Sequence, residues 1–98
     1  MQIVAVNKRA EFVDLENRSN QGVNLQGWVL VSENGNQRCE LRGWLPAGER
    51  MRVFAQQGIV TGMQSMNCDY TGPIWNNSQS DDAILLNPQG EEVFRFDS

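Results

Sequence analysis

Leu25-Gln26-Gly27-Trp28-Val29-Leu30-Val31-Ser32-Glu33 is the stretch whose reading decides the fold. Its apolar residues are aromatic, β-branched and leucine, with Trp28 and Leu30 on one face and Val29 and Val31 on the other. A run of this kind, bounded by turn residues, predicts a strand covered on both faces, with Trp28 sealed in the core. Gly27, directly before the tryptophan, suits a bulge or a close approach of another backbone. On the amino side, Asn17-Arg18-Ser19-Asn20-Gln21-Gly22-Val23-Asn24 has the composition of a loop, in which Asn and Ser side chains satisfy nearby backbone groups. On the carboxyl side, Glu33-Asn34-Gly35-Asn36 offers an Asn-Gly pair for a tight hairpin with positive φ at both central positions. Gln37-Arg38-Cys39-Glu40-Leu41 is then expected to return antiparallel.

Working outward, Gln2 to Val6 is a short β-branched run that reads as a first strand. Glu11 to Asn17 alternates, placing Phe12, Asp14 and Glu16 on one face and Val13 and Leu15 on the inward one. Leu45-Pro46-Ala47-Gly48-Glu49 is a turn, and Arg50 to Ala55 alternates again with Met51, Val53 and Ala55 inward. From Gln56 to Tyr70 the period disappears, and Ile59, Val60, Met63 and Met66 predict a long loop packed over one end of the fold. Ile74-Trp75-Asn76-Asn77 leads to a polar segment, then to Ala83-Ile84-Leu85-Leu86 as a buried strand. Asn87-Pro88-Gln89-Gly90 suits a type I turn into Glu91 to Phe96. About eight short strands without a helical period indicate an all-β chain, an immunoglobulin-like antiparallel β-sandwich of two sheets, with a small closed barrel as the other architecture. Val13, Leu15, Leu25, Trp28, Leu30, Val53, Trp75 and Leu85 are its expected core anchors.

Composition limits the function. The chain has 98 residues, 40% of them hydrophobic, enough for one domain spanning 1–98. Met1 standing directly before a strand pattern suggests a domain cut from a longer protein. A net charge of -4 with scattered basic residues argues against attraction to a phosphate backbone, so nucleic acid is not an expected partner. No apolar run reaches the roughly 20 residues of a membrane span. With no histidine and a single lysine, Lys8, there is no nucleophile paired with a base, and no enzymatic activity is expected. Two cysteines cannot build a zinc site from protein ligands alone. Asp69, Asp81 and Asp82 could offer oxygen ligands to calcium, but the alternating acidic loop is missing; a polar turn in which Asp82 bonds loop amides explains them better. No cofactor or metal is expected.

Cys39 and Cys68 admit two readings, a disulfide that pins the long loop to the hairpin arm, or two small buried thiols. Trp44, between Gly43 and Leu45, and Tyr70 in the long loop are the candidate ligand-binding aromatics. They would serve a carbohydrate-binding sandwich with Asn76, Asn77 and Gln79 as hydrogen-bonding groups; the plainer reading is that Trp44 covers the sandwich end.

Several segments occur in a specific order: Phe12-Val13-Asp14-Leu15-Glu16-Asn17-Arg18-Ser19-Asn20, Leu25-Gln26-Gly27-Trp28-Val29-Leu30, Leu45-Pro46-Ala47-Gly48-Glu49, Trp75-Asn76-Asn77 with Asp82 to Asn87, and Gly90-Glu91-Glu92-Val93. In this order and at these spacings, from about Ile3 to Phe96, they resemble the lamin tail domain. The resemblance implies an immunoglobulin-like sandwich without catalytic activity, which docks a partner protein or a neighbouring domain. The absence of a heptad seam and of basic character sets the chain apart from the nuclear lamins. It is more similar to bacterial modules appended to secreted or surface-attached proteins, which implies an extracellular or cell-envelope location. A role as a nucleic-acid-associated accessory domain is the lesser alternative.

Overall fold

The computed structural model describes residues 1–56, 65–70 and 81–97, with the backbone alone at 56, 69 and 70. Among these residues every regular element is a strand. β1 (Gln2–Asn7), β2 (Phe12–Glu16), β7 (Arg50–Gln56) and β8 (Ser65–Tyr70) form sheet I in the order β1-β2-β7-β8. Sheet II comprises β4 (Val29–Ser32), β5 (Gln37–Glu40), β9 (Ala83–Leu86) and β10 (Glu92–Phe96), ordered β10-β9-β4-β5. A two-stranded ribbon pairs β3 (Val23–Asn24) with β6 (Trp44–Leu45). The architecture is an immunoglobulin-like β-sandwich, with β1 packing across from β9 and β10.

The period of two builds sheet I. Val13 and Leu15 of β2 and Met51, Val53 and Ala55 of β7 point inward and are buried. The alternate residues pair across the outer face as Phe12 with Phe54, Asp14 with Arg52 and Glu16 with Arg50. Arg52 donates to Asp14 through Nε at 2.8 Å and Nη2 at 3.0 Å, and its guanidinium carbon lies 3.9 Å from the centre of the Phe12 ring. Phe12 in turn meets Phe54 edge to face, with ring centres 5.9 Å apart. Cross-strand pairs of opposite charge and of aromatic rings each add a few tenths of a kcal/mol to about 1 kcal/mol. Glu11 lies outside this ladder, in a left-handed conformation with φ 59 at the end of the turn before β2.

Sheet II and the ribbon share the Leu25–Glu33 stretch, which is shorter as a strand than its composition suggests. The chain turns at Gln26 and Gly27, where the Trp28 amide donates to the Leu25 carbonyl at 3.0 Å, and β4 begins only at Val29. Gly27 makes this possible: its φ is 93, and a Cβ there would stand 3.3 Å from Cβ of Pro88. Trp28 consequently lies half-buried against the core instead of sealed within it. The hairpin to β5 is also different from the expected tight turn. Ser32 pairs with Gln37 around a four-residue loop, and Asn36, with φ 51, takes the left-handed position.

The core combines Ile3, Val13, Leu15, Leu25, Leu30, Leu41, Leu45, Met51, Val53 and Leu85 from both sheets and the ribbon. Trp75 lies outside the described residues. The expected loop from Gln56 to Tyr70 is corrected by β8, which runs parallel to β7 from the Arg52–Ser65 pair onward. Met66 packs against the core from this strand. A parallel neighbour needs a crossover in place of a tight turn, so no hairpin signature precedes it.

Candidate functional site

The ribbon and the segments that continue it carry the most distinctive surface of the molecule. Trp44 pairs with Asn24, and its indole lies over the diagonal neighbour Gly22. A Cβ at Gly22 would stand 2.1 Å from Cζ2 and 2.6 Å from Cε2 of the ring, so only the bare glycine backbone lets the indole lie there. The other residues at the base of the ribbon, Leu25 and Leu45, are wholly buried, whereas Trp44 keeps 59% of its surface exposed. The ring is thus held in place on one side and open on the other.

Next along the same two segments, Leu25 N donates to the Gly43 carbonyl at 2.8 Å and Leu41 N to the Trp28 carbonyl at 2.8 Å. Between these bonds the Gln26–Gly27 turn opens a groove of about 560 Å³ lined by Gln26, Gly27, Val29, Glu40, Leu41 and Arg42. An amide, a carboxylate and a guanidinium therefore stand around an apolar floor. Among the groove's described lining residues there is no Ser, Thr, Cys, Lys or His.

The loop leading to the ribbon is fixed by a buried polar residue. Asn17 is fully buried; its Nδ2 donates to the carbonyls of Gln21 at 2.7 Å and Leu45 at 3.1 Å, while Oδ1 accepts from the Ser19 amide at 3.0 Å. Its backbone amide donates to Glu49 O at 3.0 Å, and its carbonyl accepts from Gly48 N at 2.7 Å. One side chain thereby ties the polar loop, β6 and the Leu45–Glu49 turn together, and buried amides satisfied in this way specify a single loop geometry.

At the opposite end of β4, Ser32 is fully buried and its hydroxyl lies 2.7 Å from both carboxylate oxygens of Asp81, which also accepts from the Asn34 amide at 3.1 Å. Asp81 bonds the loop amide of Asn34 through its side chain, and the Asp82 carbonyl accepts from the Glu33 amide at 3.0 Å. Asp82 also joins Glu33 and Glu92 around Arg95, whose guanidinium is held protonated well above its ordinary range by the hydrogen bonds it donates to Glu92, then Glu33, then Asp82. A serine ending the apolar run Val29-Leu30-Val31 was the signal for this pair, since a buried hydroxyl demands an acceptor. On sheet I, Arg50 and then Arg18 hold the Glu16 carboxyl below the usual glutamate range, and Asp14 raises Arg52. These are structural ion pairs. Among the described residues no group of three His, Cys, Asp or Glu side chains is placed to hold a metal.

Cys39 and Cys68 form a disulfide, with Cα atoms 5.4 Å apart. It links β5, at the edge of sheet II, to β8, at the edge of sheet I. The described part of Tyr70 is backbone at the end of β8, and Asn76, Asn77 and Gln79 lie outside the described residues. Groove and ribbon instead supply Gln26, Glu40 and Arg42, which sequence patterning did not single out because nothing marks a groove formed by a turn between two unequal segments.

A family model described as Lamin Tail Domain matches residues 2–98. The chain belongs to the lamin tail domain family. No curated protein matches the sequence. Lamin tail domains are immunoglobulin-like and non-catalytic, in keeping with a sandwich whose ion pairs are structural. Among the described residues no helix is long and apolar enough to cross a membrane.

Proposed function

We propose that this lamin tail domain is a non-catalytic docking module that seats a partner protein, or a neighbouring domain of its parent chain, on the Trp44 ribbon and the adjoining groove. The observation that carries this reading is Trp44 itself. An indole 59% exposed, backed by glycine and fixed on a ribbon whose base is buried, is a rigid anchor with little side-chain entropy left to lose on binding. Enrichment of tryptophan among the residues that dominate interface energies supports the same role. The disulfide supports an exported or cell-surface setting, because such bonds persist in oxidising compartments.

The test is hydroxyl-radical footprinting of Trp44 in the full-length parent protein compared with the isolated domain. Protection of Trp44 in the parent is expected, together with loss of that interface in Trp44→Ala at unchanged domain stability. Trp44 equally reactive in both, with protection confined to another face, overturns the reading.

A second reading follows from the exposed indole seated on Gly22, since an aromatic ring with an amide, a carboxylate and a guanidinium nearby also suits a pyranose ring. A glycan panel separates the two: binding abolished by Trp44→Ala establishes the carbohydrate reading in place of the protein one. Retention on DNA at physiological salt, by contrast, would contradict the charge argument against nucleic acid.

A further inference from the structure

The wall of the groove is also the segment that grips β8. Cys39 stands directly before the lining residues Glu40, Leu41 and Arg42, and it is bonded to Cys68 of β8. Arg42 reaches the same strand, its Nη2 donating to the Asn67 carbonyl at 3.3 Å. Cys39 and Arg42 thus hold successive residues of β8 from either end of the segment Cys39–Arg42. Among the described strands of its sheet β8 pairs with β7; of its residues with described side chains, Ser65 to Cys68, none is fully buried, and Met66 and Cys68 lean on the core.

From this we infer that the Cys39–Cys68 disulfide is a redox clasp on the docking groove, so that its reduction releases the Glu40–Arg42 wall together with β8. The inference rests on the docking reading above for its purpose, but its structural content stands separately. The two sulfurs differ in access. Cys39 is 3% exposed, whereas Cys68 is half-buried on an edge strand. A dithiol reductant therefore attacks Cys68 Sγ as a thiolate, forming a mixed disulfide and expelling the Cys39 thiolate, which takes up a proton. The second thiol of the reductant then displaces Cys68, leaving two protein thiols and an oxidised reductant, a transfer of two electrons and two protons. With the covalent link gone, the Arg42–Asn67 bond, at an exposed position, still joins the wall to β8.

The β1 side of the sandwich has no such crosslink, and there β1 packs against β9 and β10. The release is therefore local. Reduction loosens the wall and β8 while leaving β2, β4 and β9 in place.

Amide hydrogen exchange on the oxidised protein, the dithiothreitol-reduced protein and the Cys39→Ser/Cys68→Ser variant tests this. The expected result is an increase in exchange for both Glu40–Leu45 and Ser65–Tyr70 on reduction that exceeds the increase at Phe12–Glu16 and Ala83–Leu86 by at least tenfold and is reversed on reoxidation. Faster exchange at Ser65–Tyr70 alone overturns the coupling, as does no change in either segment. A uniform increase through every strand overturns it too, because the bond would then serve global stability only. None of these readouts involves a partner, so failure here leaves the docking reading standing, and failure of Trp44 footprinting leaves the clasp standing.

Discussion

β7 has two neighbours, and they are held by different means. On one side β2 pairs antiparallel, buries Val13 and Leu15 completely, and faces its partner with two rings and two ion pairs. On the other side β8 pairs in parallel, fully buries none of its described side chains, and is tied to the opposite sheet by a covalent bond. The contrast teaches that a strand without a strong apolar period can still be a fixed part of a sheet when a crosslink replaces side-chain burial. The bond joins β5 to β8 across the side of the sandwich opposite the one where β1 packs against β9 and β10.

Removing the crosslink is the most direct way to break this comparison. With Cys39 and Cys68 separated by 29 positions, the Cys39→Ser/Cys68→Ser variant is expected to lose about 3–4 kcal/mol of unfolding free energy in urea, from the freed entropy of the unfolded chain. A variant as stable as the oxidised protein would show β8 to be held as β2 is. Truncating apolar side chains sharpens the contrast from the other direction. Leu15→Ala is expected to cost about 3 kcal/mol because it opens a cavity at a fully buried position, whereas Met66→Ala on β8 is expected to cost about 1 kcal/mol because that side chain only leans on the core. Equal losses at the two sites would erase the distinction.

The smallest effect concerns the outer ladder of β2 and β7. Glu16 has its folded-state pKa depressed by the hydrogen bond from Arg50 first and from Arg18 second. A depressed carboxylate contributes stability that is present above its unfolded value and lost as pH falls through the folded one. Titration of the Glu16 carboxyl by NMR is therefore expected to give a midpoint below the ordinary glutamate range, moving back upward in Arg50→Ala. A midpoint that does not respond to Arg50→Ala would remove the ladder from the account of β2. Because these groups are solvated, the accompanying change in stability is small and is weakened further by salt.

Much of the sandwich is legible because burial on one face imposes an alternation that the chain displays openly. Phe12 to Glu16 and Arg50 to Ala55 read out both their faces, and Ala83 to Leu86 reads as covered. The Leu25–Glu33 stretch is only partly legible. Its apolar residues are real core and half-core positions, but the Gln26–Gly27 turn that splits it relies on a positive φ at Gly27, beside Pro88 61 positions away. Trp28 is drawn out of the interior by that same turn. At the docking surface, Trp44 was visible as an aromatic at a loop edge, while its seat on Gly22 and the groove beside it were not, since both come from the register of a ribbon two residues long.

The amino-acid sequence alone determined the all-β class, the family, the inward residues of β2 and β7, and the exclusion of histidine-based chemistry, all of which follow from local period, composition or motif order. Tertiary structure alone decided that β8 is a parallel strand, that Cys39 and Cys68 are bonded, that Asn17 and Asp81 are buried, and that Trp44 rests on Gly22. Each of these is a contact between segments whose separation along the chain carries no periodic signal, so it comes into being only when the two sheets close on each other.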